Sequence, residues 1–173
     1  MQDLAEFAGL FYPQLAELAE FRAVEADDMP EPYRGLLAHD EHMTESVEAF
    51  HGEPVDVQVV AERRDGETYA RTSVLLTHSA QRRVQLGIMQ INFAGLPEPV
   101  RAAIIAGGTP LGRILIRHNV LRRVELIQLW RVKPGPALRL HLELSAEQPI
   151  FGRTARILVG GRPAVALLEI VRV

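Results

Sequence analysis

The stretch Val55-Asp56-Val57-Gln58-Val59-Val60-Ala61-Glu62-Arg63-Arg64-Asp65-Gly66-Glu67-Thr68-Tyr69-Ala70-Arg71-Thr72-Ser73-Val74-Leu75-Leu76-Thr77-His78 decides the fold class of this chain. Val55, Val57 and Val59 alternate with Asp56 and Gln58, the period of a half-buried strand. Asp65-Gly66 sits in the middle of Arg64-Asp65-Gly66-Glu67, and Asp-Gly suits the positive φ that a tight hairpin turn needs. Residues 68–78 then read as the return strand. Ser79-Ala80-Gln81-Arg82 is a second short turn, and residues 83–93 read as a third strand.

Working outward, the pattern predicts a helical insertion from Pro97 to about Ile116, broken at Gly107-Gly108-Thr109-Pro110. Beyond it, residues 120–132 read as a long strand and 137–144 as a shorter one. Residues 152–159 and 164–172 form a last hairpin around Gly160-Gly161-Arg162-Pro163. Upstream, Leu36, Leu37, Met43, Val47 and Phe50 fall on one stripe and predict a helix over 34–50, closed by His51-Gly52 and Pro54. Residues 25–32, acidic and Pro-rich, read as a loop. Residues 3–22 read as a first helix, interrupted at Pro13. Helical regions combined with hairpin-linked strands make an α+β fold with an antiparallel sheet. The connections are too short for parallel crossovers except around residues 94–119.

Composition bounds the rest. The 173 residues fit one domain, and 47% apolar with 24% charged residues is ordinary for a globular protein. A net charge of −3 argues against a dedicated nucleic-acid binder. No apolar run reaches transmembrane length, and the acidic start Met1-Gln2-Asp3-Leu4-Ala5-Glu6 lacks a signal peptide's basic region, so the expected compartment is the cytoplasm. The absence of cysteine excludes disulfides, thiolate metal sites and cysteine nucleophiles. Lys133 is the sole lysine, so a Schiff-base mechanism would have to use it. There is no Gly-x-Ser-x-Gly nucleophile elbow.

Two residues stand out for chemistry. Val165, Leu167, Glu169 and Val171 share one face of the last strand, and Ala166, Leu168 and Ile170 make the other face apolar too, so Glu169 is expected to be buried. A buried carboxyl group is costly unless it is paired, hydrogen-bonded or neutral. It serves either in catalysis or as half of an ion pair with an arginine. Arg71, mid-strand beside Tyr69 and Ser73, is suited to clamp a carboxylate, to pair with Glu169, or to reach solvent. His39 and His42 share a helical face near Asp40, but no spacing recruits a third ligand, so no metal is expected. Gly107-Gly108-Thr109-Pro110-Leu111-Gly112 lacks the Lys-Ser/Thr ending of a phosphate loop. It reads as a turn or as a loop that lets backbone approach a small ligand. The arginine pairs Arg82-Arg83 and Arg122-Arg123 read as solvated faces.

Five segments in order resemble the chorismate pyruvate-lyase family, in its divergent bacterial and archaeal branch. They are Leu36-Leu37 with Asp40 and Met43-Thr44; Tyr69-Ala70-Arg71; Thr109-Pro110-Leu111-Gly112-Arg113; Phe151-Gly152-Arg153; and Gly161-Arg162-Pro163 leading to Glu169. The resemblance runs from about residue 36 to 171 and leaves residues 1–34 outside. It implies a six-stranded antiparallel sheet with helices packed on it, enclosing a ligand pocket. It implies a carbon–oxygen lyase that converts chorismate to 4-hydroxybenzoate and pyruvate by elimination, without cofactor. Arg71 and Glu169 would be its catalytic pair. Met43, Thr44, Leu111 and Gly112 would line the substrate, with Arg153 holding its second carboxylate. Arg156 would stand in for a second arginine that the family places where this chain has Thr154. One more residue separates Pro163 from Glu169 than in the family pattern. In a strand that reverses facing, so either the hairpin carries a bulge or Glu169 is not the equivalent residue.

The same fold resembles the effector-sensing domains of bacterial transcription regulators. The alternative function is therefore a non-catalytic small-carboxylate-binding domain, or an enzyme of secondary metabolism acting on another small carboxylate. The expected partner is a small molecule, with no nucleic acid and no membrane. Monomer and homodimer both remain open.

Overall fold

The computed structural model describes residues 4–145 and 148–173. Among these residues seven strands form one sheet: β1 (Ala19–Val24), β2 (Val55–Asp65), β3 (Thr68–Thr77), β4 (Arg83–Asn92), β5 (Arg122–Pro134), β6 (Ile150–Val159) and β7 (Arg162–Val171). Their order is β1-β5-β6-β7-β4-β3-β2. Every neighbouring pair is antiparallel. The helices are α1 (Leu4–Ala8), α2 (Leu15–Leu18), α3 (Tyr33–Leu37), α4 (Met43–His51), α5 (Glu98–Ala106), α6 (Leu111–Arg117) and α7 (Pro136–Leu142), with a 3₁₀ turn at Ala26–Asp28.

Both faces of the sheet are covered. On one face Val74, Leu86, Ile88, Val132, Leu168 and Ile170 pack with Phe7, Leu18, Leu138 and Leu142 of α1, α2 and α7. On the other, Tyr69, Ile91, Ile157 and Val165 meet Val100, Ile104, Ile114 and Leu115 of α5 and α6. Beside that cluster, Leu75, Leu129, Phe151 and Val171 meet Leu37, Met43 and Val47 of α3 and α4. The buried contacts on two sides explain why β7 reads as nearly continuous apolar sequence.

The α+β class and the hairpins around 66, 80 and 160 stand as expected, as do the helical pairs on either side of Gly107. Three elements differ. The helix expected over 3–22 yields only α1 and α2, and residue 3 lies outside the described residues. Its last part is β1, where Ala19–Val24 pairs with Pro134–Leu129. The thirteen-residue β5 needs a partner for its outer backbone groups, and that demand overrides a short helical pattern. This strand raises the expected count of six to seven. The strand expected over 137–144 is helix α7. Leu138, Leu140 and Leu142 imitate strand alternation, but only Leu138 and Leu142, one helical turn apart, are buried, while Leu140 is 75% exposed. Pro136 in the first turn after Gly135 starts that helix. Finally, the helix expected over 34–50 is split into α3 and α4 by residues 38–42.

Candidate functional site

The strand register explains the site. Ser73 of β3 pairs with Gly87 of β4, Gly87 with Glu169 of β7, Glu169 with Arg153 of β6, and Arg153 with Leu129 of β5. These five residues form one row across the sheet on the face covered by α3 to α6. Gly87 has no side chain, so the row has a gap between Ser73 and Glu169. A cavity of about 60 Å³ lies there. Its floor is Ser73, Gln85, Gly87, Met89 and Glu169, and its roof is His42, Met43 and Thr44 with Pro110, Leu111 and Gly112.

The register also shows an irregularity on β7 between Pro163 and Glu169. Ile157 pairs with Val165, but the next residue of β6, Leu158, pairs with Pro163. Ala164 is therefore an extra residue on β7. This β-bulge absorbs the added position and turns Glu169 towards the cavity.

The roof is where the first turns of α4 and α6 meet. His42 is the N-cap of α4 without a side-chain cap, and Pro110 holds the same place on α6. Gly112 makes the approach close: a Cβ there would lie 3.1 Å from His42 Cβ and 3.3 Å from Thr44 Oγ1. Arg113 of α6 pairs with Glu48 of α4, which also accepts from the Val55 amide at 2.9 Å. The two helices are thus tied to each other and to the start of β2.

Arg153, fully buried, is the central fastening. Its Nε donates to Glu169 Oε2 at 2.8 Å, its Nη1 to the His39 carbonyl at 2.8 Å and its Nη2 to the Glu41 carbonyl at 2.8 Å. The backbone between α3 and α4 is held a second time by Asp40, whose Oδ1 accepts from the Leu126 amide at 2.8 Å. That amide lies at a bulge in β5, next to the unpaired Ile127. His42 Nε2 accepts from Arg122 Nε at 2.8 Å, which places the proton of the neutral ring on Nδ1. Burial, reinforced by Arg122 and Arg153, pushes the pKa of His42 down to about 4. Burial and Arg153 also lower that of His39, whose Nε2 meets the Leu36 carbonyl at 2.6 Å. Among the described residues, no group of three His, Asp or Glu could hold a metal ion.

Of the residues singled out in the sequence, Met43, Thr44, Leu111, Gly112 and Glu169 meet at the cavity, and Arg153 supports it through Glu169. Two do not. Arg71 lies two residues from Ser73 on β3 and is buried beneath α5. Its Nη1 donates to the Ile104 carbonyl at 3.3 Å, and its Nε has no partner. Burial lowers the pKa of its guanidinium. The nearby Tyr69 donates to Glu62 at 2.8 Å, and burial together with that bond raises the Tyr69 pKa to about 12. The expected Arg71–Glu169 pair is therefore replaced by Arg153–Glu169, because β4 stands between β3 and β7. Arg156 is on the opposite face, where it pairs with Glu125. Sequence reading missed Ser73, Gln85 and Gly87. The only signal for them was a glycine inside an otherwise apolar strand, which marks a close approach or an opening.

No protein-family model matches the chain, and no curated protein matches it in sequence. Solved structures do. The effector domain of PhnF from Mycobacterium smegmatis superimposes with a TM-score of 0.54 at 14% identity, covering 76% of this chain and 88% of that one. The ligand-binding domain of a protein assigned to the GntR family of transcriptional regulators, from Bordetella bronchiseptica, gives 0.51 at 16% identity, covering 68% and 85%. At these identities the likeness establishes the fold, that of regulator effector domains, which is chorismate lyase-like. No helix among the described residues is long and apolar enough to cross a membrane.

Proposed function

We propose that this chain is a small-molecule-sensing domain that binds a small carboxylate in the cavity between Gly87 and the first turns of α4 and α6. The observation that carries this reading is a small cavity of mixed polar and apolar lining, beside which the buried arginine is already committed. All three nitrogens of Arg153 are engaged by Glu169 and two backbone carbonyls. Among the described residues that line the cavity there is no arginine to clamp and polarise a dicarboxylate. The uncapped start of α4 offers backbone N–H groups to one carboxylate. The volume of about 60 Å³ is far below the roughly 300–1,000 Å³ of a preformed ligand pocket. A ring-sized ligand enters only if α4 and α6 separate, and such movement is what a sensor transmits. The ligand-binding and effector domains that share the fold support the same reading.

A chorismate lyase is the second reading, favoured by the meeting of Met43, Thr44, Leu111, Gly112 and Glu169 at one cavity. One experiment separates the two. The protein is titrated with 4-hydroxybenzoate by calorimetry and incubated with chorismate, with 4-hydroxybenzoate and pyruvate followed by chromatography against a protein-free control. Binding without turnover is the expected result. Equal release of both products above the control would replace the sensor with the lyase.

A further inference from the structure

The side chain of Gln85 is unexplained by anything above. It is 5% exposed and lies on β4 two residues before Gly87, facing the cavity. Its Oε1 is buried with no hydrogen-bond partner. Its Nε2 lies 3.8 Å from the position a Gly87 Cβ would take, on the edge of the gap, with Ser73 Oγ 3.9 Å from the same point. A buried carboxamide oxygen without a partner is destabilising. It persists where something else completes it.

We propose that Gln85 is the specificity-determining residue of the cavity, and that it reads an uncharged hydroxyl or carboxamide at the inner end of the ligand. This rests on the proposed carboxylate-binding reading and adds the chemistry of the other end. A group seated over Gly87 meets Gln85 on one side, Ser73 on another, and Glu169 across the strand pair. A hydroxyl or amide both donates and accepts, so it satisfies the Gln85 amide in either orientation while donating to its neighbours. A second carboxylate in that place would face Glu169, and the guanidinium that reaches Glu169, that of Arg153, already serves two backbone carbonyls as well. An ammonium would find Glu169 already paired. The ligand class is therefore a small acid with one charged end, held at the start of α4, and one neutral hydrogen-bonding end, held by Gln85.

The test is calorimetric titration of wild type, Gln85→Leu and Gly87→Val with benzoate, 4-hydroxybenzoate and terephthalate. Wild type is expected to bind 4-hydroxybenzoate about tenfold more tightly than benzoate, the effect of one good hydrogen bond, and terephthalate no better than benzoate. Gln85→Leu removes the unpartnered amide and keeps the fold. It is expected to bind benzoate and 4-hydroxybenzoate equally. A preference that survives in Gln85→Leu, or a wild type that favours terephthalate or shows no preference, overturns the role of Gln85 and leaves the cavity reading standing. Gly87→Val distinguishes the two ideas: its Cβ meets only ordinary contacts of 3.8 Å and beyond, and its branched side chain occupies the gap, so it is expected to abolish binding. Undiminished binding by Gly87→Val overturns the cavity as the site. Failure of wild type to bind any of the three acids overturns both readings.

Discussion

Arg153 and Glu169 face each other across β6 and β7 and form a buried ion pair at 2.8 Å. Breaking a buried pair from one side leaves an uncompensated charge, which costs about 3–5 kcal/mol. Here the Arg153 side chain also satisfies two carbonyls of the α3–α4 connection. Arg153→Met is therefore expected to destabilise by about that amount in chemical denaturation. Arg153→Met with Glu169→Leu should recover part of the loss. Equal stability of the single and double variants would mean that the two side chains are not coupled.

Arg71 provides the contrast. It is buried with Nε unpartnered among the described residues, its Nη1 donates to the Ile104 carbonyl at 3.3 Å, and Tyr69 and Glu62 are its electrostatic partners. Removing a buried guanidinium that makes no salt bridge among the described residues also removes its desolvation cost. Arg71→Met should leave the melting temperature unchanged or raise it, and should leave 4-hydroxybenzoate affinity intact. A large loss of affinity would restore Arg71 as a ligand-holding arginine.

Gly112 allows α6 to approach α4. A methyl group there meets His42 Cβ at 3.1 Å and Cγ at 3.2 Å, tighter than van der Waals contact, so the helices must part. Overpacking of this kind costs about 1–3 kcal/mol. Gly112→Ala is expected to lower stability by that order in urea unfolding. Gly87→Ala, with no contact under 3.8 Å, should show no such loss.

Histidines set the acid limit. The pKa of His42 falls from 6.5 unfolded to about 4 folded. The unfolded chain therefore takes up a proton that the folded chain refuses. Stability is fully present above about pH 6.5, declines as the pH falls, and levels off below about 4, with a total near 3 kcal/mol. His39, His51 and His141 shift in the same direction, each primarily through burial. Denaturation series at pH 7, 6 and 5 should show the decline, with a shallower slope in His42→Gln. An unchanged slope in that variant would assign the effect to the other histidines.

Local patterns carried much of the fold. The Asp65-Gly66 turn, the alternation before it and the glycines at 107 and 160 marked elements that the structure contains. What failed depended on partners distant in sequence. Nothing local in Ala19–Val24 announces that β5 will recruit it as an edge strand. The triple Leu138, Leu140, Leu142 fits both periods, and only the neighbouring core decides between them. For the site, the burial of Glu169 was legible from strand alternation, whereas Met43, Thr44, Leu111 and Gly112 at the roof came only from the family resemblance. The choice of Arg153 over Arg71 as the partner of Glu169 was not legible, because strand order, unlike facing, is a global property.

The bulge at Ala164 has a bearing on how such a site tolerates change. A strand is a two-phase object, and each inserted residue inverts everything after it. Ala164 resets that phase between the hairpin turn and the residues that face the cavity. The exposed tip at Gly160-Gly161 is thereby uncoupled from Glu169. Removing Ala164 together with the pairing fault would tighten the hairpin while Glu169 kept its orientation. The interior and the periphery of this sheet can thus drift in length independently.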